Sequence, residues 1–158
     1  MFWLITELAV YLSSLLLSAC GTALKNNRIL GGQDATSGSW PWYAVLYNYF
    51  GGTLITDQWV LTAASIAPPD VYLGRYNLSG LNPNEVNRTV EKVICHPNYT
   101  FWTYENDICL LKLSAPVNFT DYIRPICLAS ENSTFNNDTS SWLQPTSCPV
   151  HGRLLQRY

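Results

Sequence analysis

Charge is scarce in this chain. Nine lysines and arginines stand against eleven aspartates and glutamates in 158 residues, a formal net charge of -2. Without a basic excess, the electrostatic term that drives binding to nucleic acid or to anionic membrane is missing, and neither partner is expected. Histidine is scarcer still, with only His96 and His151. Neither has clustered partners, so no metal site and no cofactor is expected. There is no internal repeat, no low-complexity tract and no helical periodicity of any length. The one long apolar stretch, at the N-terminus, is interrupted by Glu7, Ser13 and Ser14, and falls short of the ~20 apolar residues that a membrane span requires. No lysine or arginine precedes Lys25.

Apolar residues make up 47% of the chain and aromatic ones 13%, a composition that suits a packed globule. The apolar run from Leu8 to Leu17 ends in the small residues Ser18-Ala19-Cys20. It reads as a secretory signal over residues 1–19, which makes the protein secreted and leaves it no membrane attachment once the signal is removed. Secretion makes the cysteines informative. There are five, Cys20, Cys95, Cys109, Cys127 and Cys148. The odd number leaves at least one unpaired or bonded to another molecule, and Cys148 is the candidate. Six Asn-X-Ser/Thr sequons, at Asn77, Asn87, Asn98, Asn118, Asn132 and Asn137, fit the same compartment as glycosylation acceptors.

From Ile29 onward short apolar runs alternate with turn signals. Tyr43–Tyr47, Thr53-Leu54-Ile55, Trp59-Val60-Leu61, Val71-Tyr72-Leu73, Val90–Ile94 and Ile108–Leu113 read as strands. Gly51-Gly52, Asp57-Gln58, Gly74 and His96-Pro97 separate them. This spacing predicts an all-β barrel or sandwich.

Several motifs sharpen that prediction. They are Arg28-Ile29-Leu30-Gly31-Gly32, Ser39-Trp40-Pro41-Trp42, Gly51-Gly52-Thr53-Leu54-Ile55, Trp59-Val60-Leu61-Thr62-Ala63-Ala64-Ser65-Ile66, Glu105-Asn106-Asp107-Ile108-Cys109-Leu110-Leu111-Lys112-Leu113 and Arg124-Pro125-Ile126-Cys127-Leu128. In this order and spacing they resemble the first half of a trypsin/chymotrypsin-like serine protease, over roughly Cys20 to Trp142. The resemblance implies the first six-stranded antiparallel barrel of a double-barrel fold, with the second barrel missing. It divides the chain into a signal (1–19), a propeptide-like segment (20–28), a truncated protease domain (29–142) and an unrelated tail (143–158). It also implies an activation cleavage between Arg28 and Ile29, although the aspartate that would receive the new amine belongs to the second half. A Cys20–Cys127 bridge is implied as well, provided that the signal is cut before Cys20. It would close a loop of roughly 100 residues, for which chain-entropy arithmetic gives about 4–5 kcal/mol.

Two further positions depart from the family pattern. Phe50 and Ile66 stand where the family has a bridged cysteine pair, and are expected to touch as an apolar pair instead. Cys95 and Cys109 stand where apolar residues are usual, on strands expected to be adjacent. Two readings stand for them: a bridge closing a loop of roughly 15 residues, worth about 3 kcal/mol, or two buried thiols packing as small hydrophobes.

The chemistry follows from one residue. The family mechanism requires a serine nucleophile, a histidine base, an aspartate that fixes the histidine's tautomer, and an oxyanion hole. Asp107 matches the aspartate. Ser65 stands at the position of the histidine. A hydroxyl has no pKa near neutrality, so it cannot act as the general base. The Gly-Asp-Ser-Gly-Gly context of the nucleophile occurs nowhere in these residues. Ser65 could be a nucleophile itself only beside a base, and His96 reads as a surface turn residue and His151 as a tail residue. The preferred role for Ser65 is a hydrogen bond from its hydroxyl to Asp107. The expected function is therefore that of a secreted, truncated, catalytically inactive serine-protease homologue. The alternatives are a non-catalytic binding or decoy module, and an isoform or fragment of an active serine endopeptidase. The expected partners are other secreted proteins, or a second copy meeting the exposed face that would pack on the second barrel.

Overall fold

A computed structural model of the chain describes residues 20–25, 36–47, 50–66 and 68–134. The signal segment, Arg28, Ile29, Asn137, Cys148, His151 and the tail 143–158 lie outside the described residues. Six strands form: β1 (Tyr43–Val45), β2 (Gly51–Leu54), β3 (Trp59–Thr62), β4 (Asp70–Leu73), β5 (Val86–Cys95) and β6 (Cys109–Leu113). All pairings are antiparallel, and they close a barrel in the order β1-β2-β3-β6-β5-β4. The last seam is short: Ala44 faces Leu73 and Val45 faces Tyr72 between β1 and β4.

The side-chain period of two sorts residues into and out of this barrel. In β2, β3 and β4 every second residue is buried, with Leu54, Val60, Val71 and Leu73 fully so. The apolar run at β6 reads as continuous in the sequence but alternates in space. Cys109, Leu111 and Leu113 are buried and Leu110 and Lys112 only partly; Ile108, just before the strand, is 46% exposed. Thr62, the polar intruder at the end of β3, is buried, and its hydroxyl donates to the Gly51 carbonyl at 3.1 Å. Two glycines are needed where they stand. A Cβ on Gly52 would meet Val60 Cγ1 at 2.8 Å, so β2 can lie this close to β3 only without a side chain there. Gly74, which ends β4, has φ +69° and would press a Cβ onto the Asn84 carbonyl.

β5 extends further than the sequence pattern suggests, from Val86 rather than Val90. It shifts register between Val90 and Lys92. Its second half, Glu91 to Ile94, is exposed on both faces. The β4–β5 connection is fixed by polar contacts. Arg75 donates from Nε and an Nη to the two oxygens of Glu85, at 2.6 and 2.9 Å, and its guanidinium lies over the Tyr72 ring at 3.9 Å. Asn82 Oδ1 accepts from the Tyr76 and Asn77 amides.

Both cysteine pairs are bridged. Cys20 and Cys127 are joined across 107 residues, with Cα atoms 4.9 Å apart, and the Gly21 amide donates to the Pro125 carbonyl beside them at 2.8 Å. This ties the segment ahead of Arg28 to the chain that follows β6, where Val117 and Ile123 join the barrel core. Of the two readings for Cys95 and Cys109, the structure takes the bridge. They are directly opposed in the β5–β6 register, with Cα atoms 4.0 Å apart. The expected Phe50–Ile66 pair is modified. Ile66 packs against the core, whereas Phe50 is 43% exposed.

The core makes a quantitative demand. Leu111 is wholly buried in the middle of β6, between β3 and β5. Leu111→Ala removes three carbons from a closed interior, and is expected to lower stability by about 2–5 kcal/mol in denaturant unfolding. A loss under about 1 kcal/mol would contradict the position assigned to this side chain.

Candidate active site

Two polar residues that the sequence reading singled out, Ser65 and Asp107, meet here. β3 pairs with β6 so that Thr62 faces Cys109. The chain leaving β3 therefore runs beside the chain entering β6. Leaving β3, the residues turn tightly, with the Ile66 amide donating to the Ala63 carbonyl at 3.1 Å. Ser65 occupies the third position of that turn, where its own amide has no partner within it. Entering β6, the Ile108 amide donates to the Asn106 carbonyl at 2.8 Å, which bends the chain about Asp107.

The two residues make a two-point contact. The Ser65 amide donates to Asp107 Oδ1 at 2.7 Å, and the Ser65 hydroxyl donates to Oδ2 at 2.9 Å. Each carboxylate oxygen thus accepts from the same residue. Asp107 is half-buried and Ser65 exposed. The hydroxyl is the preferred donor from the sequence; the backbone amide is an addition that no side-chain pattern could announce.

The loop 96–108 between β5 and β6 supplies the other side. The Tyr99 amide donates to the His96 carbonyl at 3.0 Å, and the Asn98 amide donates to His96 Nδ1 at 3.2 Å. Thr100 and Glu105 bridge across the loop, and Asn106 Nδ2 donates to the Asn98 carbonyl at 3.0 Å. Tyr104 and Asn106 adopt φ of 55° and 56°, a left-handed conformation that asparagine tolerates and tyrosine rarely takes. His96 is exposed and its imidazole contacts its own turn. It is not brought into hydrogen-bond contact with Ser65. Among the described residues no group of three His, Cys, Asp or Glu side chains could hold a metal ion.

Tyr99 is the site residue that the sequence reading passed over. Its hydroxyl oxygen is buried and has no hydrogen-bond partner. Its pKa is raised, first by burial, then by the negative charge of Asp107 and by Tyr104. The sequence shows it only as the last residue of a His-Pro turn, which carries no signal that its ring tip reaches toward an aspartate eight residues on.

The arrangement ties the turn after β3 to the loop entering β6. Among the described residues no imidazole stands between Ser65 and Asp107, whose oxygens accept directly from the serine. The proton on Ser65 Oγ is directed at Asp107.

The Trypsin family model matches residues 29–150 of this chain. A curated tryptase of Mus musculus is 36% identical over 153 residues, an alignment that covers 84% of this chain and 53% of that protein. The chain therefore spans about half the length of the curated relative it matches.

The site geometry sets two expectations. Asp107→Ala removes both hydrogen bonds, and should lower stability by about 1 kcal/mol in urea unfolding. Tyr99→Phe removes a buried hydroxyl that bonds to nothing, and should leave the thermal midpoint unchanged or raise it; a clear drop would mean that the hydroxyl has a partner.

Proposed function

The chain belongs to the trypsin family, and from that premise we propose that it is a secreted, non-catalytic member in which the charge-relay aspartate is retained as a structural anchor. The observation that carries this reading is the two-point bond from Ser65 to Asp107. In the family mechanism that carboxylate orients an imidazole, and the imidazole moves the proton. Here a hydroxyl and an amide take up both oxygens. Whatever follows residue 158, the general base is missing, and the family mechanism cannot run without it. Two disulfides and kinship with a tryptase fit an extracellular protein, and the apolar segment ahead of Cys20 supports entry to the secretory route.

If the protein acts, it acts by binding. Ile94, which opposes Leu110 in the β5–β6 register and is 42% exposed, and Ile108, 46% exposed just ahead of β6, offer an apolar patch for other secreted proteins or a second copy of the chain. The Arg28–Ile29 bond remains a candidate cleavage site for a trypsin-specific protease, and the six sequons remain candidate glycosylation sites.

The test uses secreted, purified protein and two readouts. A fluorophosphonate probe should leave every serine unlabelled, and casein hydrolysis should stay at the buffer rate. An adduct on Ser65, or hydrolysis abolished by Asp107→Ala, would overturn the reading. Sedimentation velocity of the same sample should show association that weakens in Ile94→Ser; a monomer at all concentrations would remove self-association.

A further inference from the structure

The β5–β6 loop carries an exposed aromatic tip. Phe101 is 60%, Trp102 86% and Tyr104 58% exposed. The Phe101 ring meets Trp102 edge-on at 5.4 Å and lies 6.2 Å from Tyr104, so the three form one continuous apolar surface. The loop that presents it is fastened by the Thr100–Glu105 bridge, by the Tyr104 amide on the Thr100 carbonyl at 2.8 Å, and by Asn106 on Asn98. These bonds hold the backbone of the loop in place, and an apolar surface left to water favours association.

Three residues ahead of Phe101 stands Asn98, the acceptor of the sequon Asn98-Tyr99-Thr100. Its backbone is held at both ends, the amide on His96 Nδ1 and the carbonyl by Asn106 Nδ2. Its side-chain amide makes no hydrogen bond among the described residues, and the residue is exposed. The folded state can thus carry a bulky group at this nitrogen without breaking a contact. Among the other described sequons Asn87, Asn118 and Asn132 are exposed as well, but none lies in the β5–β6 loop that carries the aromatic tip. Asn77 is half-buried and its Oδ1 accepts from the Ser79 amide at 3.1 Å. Asn87 lies within β5, opposite Tyr72 of β4. Asn118 and Asn132 are exposed but follow β6 in the chain.

We propose that Asn98 carries an N-linked glycan whose first sugars cover the Phe101–Trp102–Tyr104 tip, beside the Ser65–Asp107 pair. The inference rests on the secretory reading above. The donor is a lipid-diphosphate-linked oligosaccharide. Asn98 Nδ2 forms a bond to C1 of the reducing-end N-acetylglucosamine and loses one proton. The bond from C1 to the phosphate oxygen breaks, and the lipid diphosphate leaves. A pyranose ring offers an apolar C–H face to an aromatic ring and its hydroxyls to water. That glycan converts the exposed tip into a wetted surface.

The test begins with the full chain expressed in secreting animal cells. Glycans are released by peptide N-glycosidase in heavy-oxygen water, and the peptides are read by mass spectrometry. The labelled aspartate left by release is expected at position 98. The second readout is chymotryptic cleavage at the tip, expected to be several-fold slower in the glycosylated protein than in Asn98→Gln. Thr100→Ala, which removes the sequon and keeps Asn98, should match Asn98→Gln. An unmodified Asn98 overturns the proposal. If Asn118 and Asn132 are modified beside it, only this proposal falls; if they too are bare, the secretory reading falls with it. A modified Asn98 with cleavage as fast as in the variants overturns the covering of the tip.

Discussion

The pairing of β3 with β6 puts Thr62 opposite Cys109, and much else in the molecule follows from that register. Ser65 lies three residues beyond Thr62 and Asp107 two residues ahead of Cys109, so fixing one pair of strands brings the two polar residues together from 42 positions apart. The register is not free to slip. A slip of β6 by one residue would turn Leu111 and Leu113 out of the core and Leu110 and Lys112 into it. Hydrophobic burial along two strands thereby determines the geometry of a polar contact at their ends.

That dependence explains how the ends of two strands hold Ser65 against Asp107. In the trypsin mechanism the imidazole is the moving part and the aspartate its support. Replacing the imidazole with a hydroxymethyl group leaves a carboxylate whose oxygens would lack donors. The turn after β3 supplies two, one from the backbone and one from the side chain. A half-buried charge with two good donors is satisfied, and the fold has no reason to discard it. The loop on the other side is held by its own bonds, through Asn98, Thr100, Glu105 and Asn106.

Much of the barrel was legible in the sequence because each strand announces itself twice, by alternation and by the turn residues that bound it. β2, β3, β4 and β6 stand close to where Gly51-Gly52, Asp57-Gln58, Gly74 and the apolar run to Leu113 put them. β5 was harder, since Val86 to Thr89 alternates only weakly and follows a proline-containing turn. Its exposed second half shows that length in a strand need not mean burial. The Ser65–Asp107 meeting was not legible from spacing; it came from a resemblance, and the amide's part in it belongs to the backbone, which no side-chain pattern records. Tyr99 was missed for a related reason, because where a ring tip ends is set by the whole loop. Phe50 shows the limit of pairwise substitution arguments: of the two apolar residues, Ile66 packs against the core whereas Phe50 stays 43% exposed.

The central claim is that Asp107 now serves Ser65 and the turn it belongs to. It is tested most directly by hydrogen exchange at the Ser65 backbone amide, measured by NMR on the folded protein and on Asp107→Ala. The account predicts an amide that exchanges more slowly than an unstructured one in the native chain, and loses that protection in the variant while the barrel amides of β3 and β6 keep theirs. A Ser65 amide that exchanges freely in the native chain, or is equally protected in both, would contradict it.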